Sequence, residues 1–412
     1  MRSARGQEGV GVRSILSDPS VSAVVLTAFV MMLGAGLVLP VLPLFARSLG
    51  AGYGEAGLFI AGWGVTRLVF DVAAGPIVDR FGKRRTAASG LVVAAAFALL
   101  TGLAPSFAAA AVCWAASGAG SAIVQTALYS RLLEVVPRRR MARTLGVFYG
   151  AFNVGLIAGG FLSGPLAQHL GLASPLFVAA ALQVSAAAVF LRLGPRSRPG
   201  AAPPAAEGPA RRGGGAKLAR ILRTPGLVPI VVSQLASLWL FAALFNTLIP
   251  LFGRDTLHMS TVGIGVVFAV AMATEFLVLY PGGSAADRHG RKPVLLPALA
   301  VYAVMTAAVG WAGTPVALGA LVAVLGLASG AVGIVPGAML SDVVSGEELG
   351  TAAGIYRFST DLGFTLGPLT AGFVSSAFGF KEAFVVTAVP AVVALALVLR
   401  MPETLRAVEA TR

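Results

Sequence analysis

The chain has 412 residues, of which 57% are hydrophobic and 12% charged, with a mean hydropathy of +0.86. A soluble domain carries about twice that charged fraction and does not sustain repeated apolar runs of about 20 residues, so a soluble globular protein is excluded. The net charge of +14 lies between the apolar runs, in no basic domain interleaved with aromatics, which sets nucleic acid aside as a partner.

Twelve apolar stretches predict membrane-spanning helices: α1 (21–46), α2 (56–78), α3 (87–104), α4 (107–133), α5 (144–166), α6 (175–193), α7 (226–251), α8 (261–286), α9 (294–312), α10 (315–341), α11 (351–376) and α12 (384–401). Each is long enough to cross a bilayer, and the gaps carry Arg, Asp, Gly or Pro. The first 20 residues are polar and lead into a run too long for a signal-peptide core, so no cleavage is expected. Cys113 is the single cysteine, which leaves no intrachain disulfide and no cysteine metal site. His169, His258 and His289 all fall in predicted loops. The chain has no G-x-x-x-x-G-K-[ST] loop to bind ATP. No cofactor is expected.

Alternate connections differ sharply in basic residues. Arg80, Lys83, Arg84, Arg85, Arg131, Arg138, Arg139, Arg140, Arg143, Arg288, Arg291 and Lys292 fall on one side with both termini, and only Arg47, Arg254 and Lys381 fall on the other. Positive residues stay inside, so both termini are expected in the cytoplasm of a multi-pass cell-membrane protein. Heavy Ala, Gly and Arg use suggests a bacterial source. Residues 194–224 are rich in Pro, Gly and Ala and separate a bundle at 1–193 from a bundle at 225–412. The end of that linker, Lys217 to Arg223, reads either as a short amphipathic surface helix or as a tether.

The two bundles repeat one another. Asp79 and Asp287 differ by 287 − 79 = 208 positions, and the same offset relates Gly75 to Gly283, Arg80 to Arg288, Gly82 to Gly290, Gly118 to Gly326, Gly155 to Gly363, Gly164 to Gly372 and Gly171 to Gly379. A register held over about a hundred residues is a duplication of six helices, and such halves enclose a midplane site.

The strongest motif stands twice. The end of α2 reads Gly75-Pro-Ile-Val-Asp79-Arg80-Phe-Gly82-Lys83-Arg84-Arg85, and the end of α8 reads Gly283-Ser-Ala-Ala-Asp287-Arg288-His-Gly290-Arg291-Lys292. This G-x-x-x-D-R-x-G-[RK]-[RK] loop resembles the signature of the major facilitator superfamily, and the resemblance covers essentially the whole chain. An acid at a helix C-terminus opposes the dipole unless another helix begins beside it or an arginine neutralises it. The resemblance implies that Asp79 meets the start of α11 near Gly350 and that Asp287 meets the start of α5 near Arg143. With Gly75, Arg80, Gly82, Arg84, Gly283, Arg288, Gly290 and Lys292 they would latch the halves on the inside; the alternative is a set of purely topogenic charges. The resemblance further implies an all-α protein of two six-helix bundles working by alternating access. In α5, Gly146, Gly150, Gly155, Gly159, Gly164 and Pro165 resemble the Gly/Pro motif of proton-coupled exporters in that superfamily. The chain departs from it at Gly160, where proline is expected, at Trp114, where many drug–proton antiporters carry arginine, and in α1, which holds no acid.

Five ionisable residues fall inside spans: Arg67 and Asp71 in α2, Glu275 in α8, and Arg357 and Asp361 in α11. Each costs at least ~2.5–3.5 kcal/mol if it faces lipid. The two Arg/Asp pairs are spaced i,i+4 and share a helix face, and because α2 and α11 meet in the superfamily fold the four residues form one interdomain cluster or two separate pairs. Glu275 is the repeat mate of Arg67, lies near mid-bilayer and lacks a basic partner on its own helix, so it is the candidate carboxylate for proton coupling; the other reading is a structural hydrogen bond to Asn153 or Tyr149 on α5. Gln125, Tyr129, Asn153, Gln234, Trp239 and Asn246 are candidate cavity liners, with plain helix contacts as the alternative. The favoured function is proton-coupled export of a small amphipathic organic compound by a monomer. Import of a polar metabolite and a non-transporting scaffold or sensor remain open.

Overall fold

The computed structural model describes residues 19–136, 141–193, 220–221, 224–344 and 348–405. Linker residues 194–219 and 222–223 and both termini lie outside the described residues. Among the described residues every element is helical. α1 runs over Pro19–Val38, turns at 39–41 and resumes over Leu42–Ser48; α2 to α6 are Tyr53–Phe81, Lys83–Leu103, Phe107–Val135, Met141–Leu170 and Ser174–Leu193. α7 runs over Leu227–Ala243, a π-helical turn Leu244–Leu248, and Ile249–Asp255; α8 to α12 are Thr261–His289, Arg291–Val309, Pro315–Val343, Leu349–Phe378 and Phe380–Arg400. Ten of these helices are long and apolar enough to cross a membrane, and α2 makes an eleventh when its two arms, bent by 58°, are counted together. α11 is as long, at 30 residues, but its Gly, Ser and Thr content and its Arg357/Asp361 pair lower its apolarity. The helices extend a turn or so beyond the apolar runs, because polar ends continue the helix into the headgroup layer. That extension carries His169 and His289 into the last turns of α5 and α8, where the apolar pattern alone predicts loops.

The duplication is visible in the backbone. Gly82 and Gly290 each join two helices with a single residue, at φ +82° and +103°, a conformation open to a residue without Cβ. Ser106 and Thr314 stand at the same offset and cap α4 and α10, each side-chain oxygen accepting the N–H three residues on. The interruption of α1 and the π turn of α7 also fall at corresponding places. In α2, Pro76 withholds an N–H from the helix ladder, and the 58° bend lies just past Asp71.

Each half packs its own six helices, and the halves meet along two seams, α2 against α11 and α5 against α8. The seams are built on glycine. A Cβ at Gly57 would lie 2.3 Å from the Pro368 carbonyl oxygen and 3.0 Å from Gly372 Cα; one at the repeat mate Gly265 would lie 2.8 Å from the Gly160 oxygen and 3.0 Å from Gly164 N. Toward the Asp79 end this contact disappears: at Gly75, Gly146, Gly150, Gly350 and Gly354 a Cβ would meet nothing within 4 Å. The halves are therefore closed at the Gly57 end and apart at the Asp79 end. The four-residue glycine stripes serve a different purpose. Gly155 and Gly159 seat α5 against α1, and their mates Gly363 and Gly367 seat α11 against α7. A feature shared so evenly by both halves is a packing device.

Candidate functional site

Between the halves lies a cavity of about 500 Å³. Its wall is largely apolar and aromatic, with Trp63, Trp114, Phe152, Phe241 and Phe364 contributed by five different helices. Of the sequence candidates, Arg67, Gln125, Asn153, Glu275 and Asp361 are on this wall. Tyr129, Gln234, Trp239 and Asn246 are not. Gln234 is buried behind it, where its amide donates to Thr360 Oγ1 at 3.1 Å and accepts from Tyr356 Oη at 2.6 Å, clasping α7 to α11. Trp239 offers its backbone to the close approach of Gly363 and Gly367. Asn246 sits in the π turn with no exposure, and Tyr129 is 39% exposed. Amphipathic spacing does not separate a cavity face from a helix–helix face when both are apolar.

The four charges of α2 and α11 pair crosswise. Arg67 Nε lies 3.1 Å from Asp361 Oδ1 and 3.9 Å from Asp71 on its own helix. Its guanidinium donates to Gln125 Oε1 and lies 5.3 Å from the Trp63 ring centre. Arg357 donates to both oxygens of Asp71, at 3.2 and 3.3 Å. Asp361 and Arg67 are 7% and 16% exposed, whereas Arg357 is 42% exposed and marks the rim of the cluster. The quartet thus neutralises itself across the seam, at the depth where the closed contact ends.

The other seam is different. Glu275 accepts from Ser329 Oγ at 2.5 Å and has no basic partner among the described residues. Asn153 Nδ2 donates instead to the Tyr149 carbonyl at 2.8 Å. The buried Tyr302, also on the wall, leaves its hydroxyl without a partner.

At the Asp79 end, Asp79 is exposed and makes no ion pair or hydrogen bond among the described residues. Arg80 stacks on Phe81 at 5.5 Å. Asp287 binds Arg291, which also meets Asp342 at 3.1 Å. Lys292 Nζ donates to the Leu399 and Met401 carbonyls at 2.9 and 2.8 Å, and Glu403 accepts from the N–H groups of Arg291 and Lys292 at 2.9 and 3.0 Å. Gly290 makes room for Glu403, whose Oε2 lies 2.8 Å from where a Cβ would stand. The second loop is therefore anchored within its own half, and among the described residues Asp287 pairs with Arg291.

A family model described as Major Facilitator Superfamily matches residues 24–278 and 242–411. The chain belongs to the Major Facilitator Superfamily. Among curated superfamily members it is 26% identical over 172 residues to an uncharacterised MFS-type transporter of Methanocaldococcus jannaschii, covering 42% of this chain and 45% of that one. It is 27% identical to multidrug resistance protein 2 of Bacillus subtilis, over 39% of this chain and 40% of that one. Quinolone resistance protein NorA of Staphylococcus aureus is 25% identical over 38% and 40% of the two chains. The chain thus spans under half the length of the curated relatives it matches. Solved structures share the fold over nearly the whole chain: a bacterial homologue of the human lysosomal transporter Spinster, inward-facing and unoccupied, gives a TM-score of 0.79 at 14% identity over 98% and 99% of the two chains. The nucleoside transporter NupG gives 0.76 at 15% identity over 92% and 98%. The twelve helices in two six-helix bundles are the superfamily fold.

Proposed function

We propose that this protein is a monomeric, proton-coupled exporter of small amphipathic organic compounds in the cell membrane, with the Asp79 and Asp287 loops on the cytoplasmic face. One observation carries the reading: an apolar, aromatic cavity between the halves holds a carboxylate, Glu275, that no basic residue neutralises among the described residues. An exchanger needs a group whose charge state biases two conformations, and an unpaired carboxylate on the cavity wall meets that need. The names of the partial relatives, multidrug and quinolone resistance proteins, support export over import. With the cavity open toward the Asp79 end, Asp79 and Asp287 stand ready to latch that end when it closes.

The test is proton movement driven by substrate in proteoliposomes. Glu275→Gln should abolish it while counterflow exchange of an uncharged amphipathic substrate persists. Undiminished proton movement would remove Glu275 from coupling, and uptake with the proton gradient in place of extrusion against it would make the protein an importer. Asp79→Asn and Asp287→Asn should each slow transport with normal membrane insertion; wild-type rates in both would dispose of the latch.

A further inference from the structure

The repeat places polar residues at equivalent positions of α2 and α8 and of α5 and α11. Arg67 and Asp361 meet in the α2–α11 seam, and their mates at the 208-residue offset are Glu275 and Asn153. The first two form an ion pair, whereas their mates are a carboxylate and a neutral amide that each bond elsewhere. The charges that face the cavity follow directly. Its lining contains Arg67, Asp361 and Glu275, and the first two neutralise each other. Ser329 of α10 donates to Glu275, and Tyr302 of α9 and Tyr149 and Asn153 of α5 share the cavity wall with it. No lysine, arginine or histidine faces it from any of these helices among the described residues. Arg67 already has its charge met by Asp361 and donates to Gln125, so it presents no uncompensated positive charge to an incoming anion.

From this we infer that the cavity selects organic cations, compounds with an aromatic or aliphatic body and a protonated amine, and that Glu275 is the residue that sets the sign. The inference rests on the reading of the cavity as the substrate site. An uncompensated carboxylate in apolar surroundings attracts a cation far more strongly than it would in water, and it repels a carboxylate ligand to the same degree. The Tyr302 hydroxyl, buried and without a protein partner, adds a polar contact for the amine's substituents. The rings of Trp63, Trp114 and Phe241 suit the body and add cation–π attraction near the charge.

The experiment uses the full-length protein in nanodiscs and three probes of one shape: 4-phenylbutylammonium, 4-phenylbutan-1-ol and 4-phenylbutyrate. Binding at pH 8 is read from tryptophan quenching, since Trp63 and Trp114 line the cavity. The ammonium should bind at least tenfold more tightly than the alcohol, and the butyrate more weakly than either. In Glu275→Gln the ammonium should fall to the level of the alcohol, whose own affinity changes less than about twofold and thereby reports an intact cavity. Equal affinity for the three probes, preference for the butyrate, or an ammonium advantage that survives Glu275→Gln would each overturn the proposal. Should Glu275→Gln not purify as a single species, the wild-type ranking of the three probes decides alone. Transport is tested separately: a protein that ranks the probes as stated yet moves none of them in proteoliposomes would refute the exporter reading and leave the binding preference standing.

Discussion

Arg47 and Asp255 occupy the same position in the two halves, and they face each other across the pseudo-twofold axis at 3.9 Å. Tyr53 Oη donates to the same carboxylate at 2.9 Å, and the Arg47 guanidinium lies 4.7 Å from the Tyr53 ring centre. This clasp closes the Gly57 end. Its two contacts differ in weight: an ion pair at 3.9 Å between residues 39% and 31% exposed is worth ~0–1 kcal/mol, whereas a hydrogen bond to a carboxylate reaches ~1.5 kcal/mol. Tyr53→Phe should therefore open this end more than Arg47→Gln does. The measurement is the labelling rate, from the Gly57 side, of a single cysteine at Ile60 on the cavity wall in a Cys113→Ser background. Equal rates in the two variants would deny the hydrogen bond its larger share.

The glycine seams predict a larger effect in the same assay. A methyl at Gly57 or Gly265 meets backbone atoms of the other half at 2.3 or 2.8 Å, and backbone cannot rotate away. Overpacking of this kind costs ~1–3 kcal/mol, which is a shift of about 5- to 150-fold in a two-state equilibrium. Gly57→Ala and Gly265→Ala should raise labelling at Ile60 by a comparable factor, and Gly319→Ala, which meets nothing within 4 Å, should leave it unchanged. Unaltered labelling in both seam variants would show that the close approach does not hold this end shut.

Much of this architecture was legible in the residues. The 208-residue register anticipated the paired helix joints at Gly82 and Gly290, because a positive φ between two helices admits little else. The intramembrane charges were legible because lipid makes them costly. Their pairing was not: i,i+4 spacing places Arg67 beside Asp71, and only the approach of α11 shows Asp361 winning that arginine. The clasp was missed although Arg47 and Asp255 are mates of opposite sign, the same signal that singled out Arg67 and Glu275. Asp255 reads as a solvated loop charge until α7 is seen to continue through it. The wall positions of Tyr129, Gln234, Trp239 and Asn246 failed for want of any sequence signal that tells an apolar cavity face from an apolar contact face.

Glu403 supplies a pH dependence. Burial works to raise its carboxyl, but backbone N–H groups of Leu405, Arg291, Lys292 and Thr404 outweigh that and hold it below the ordinary glutamate range. A folded-state value below the unfolded one gives stability that is present above the unfolded pKa, about 4.3, and is lost as pH falls through the lower folded value. Glu403→Ala removes a cap from α9 worth ~1 kcal/mol. Thermal unfolding at pH 7 should show the variant less stable, with the gap to wild type narrowing below about pH 4. A gap that stays constant down to pH 3 would mean that the carboxylate charge contributes nothing.

The quartet offers the most searching test, because its geometry contains two complete sets of pairs. In the observed arrangement Arg67 pairs with Asp361 and Arg357 with Asp71, across the halves. Each arginine also has an aspartate four residues away on its own helix, and Arg67 already lies 3.9 Å from Asp71. When α2 and α11 shift at this depth, both arginines can fall back on their own helices, so no charge is stranded in the membrane. Loss of one partner from a buried pair costs ~3–5 kcal/mol when nothing replaces it. Here replacement is at hand: Asp361→Asn leaves Arg67 the carboxylate of Asp71, and Asp71→Asn leaves it that of Asp361. Each single variant should therefore lose less than that range, with Asp361→Asn the more costly, since Asp361 is the less exposed and Arg357, the other partner of Asp71, is partly in solvent. The double variant leaves Arg67 no carboxylate, and its loss should exceed the sum of the two singles by ~1 kcal/mol or more. Thermal unfolding of the four proteins in one detergent measures this cycle. Strict additivity would show that the two aspartates serve their arginines independently, and the exchange of partners would be ruled out.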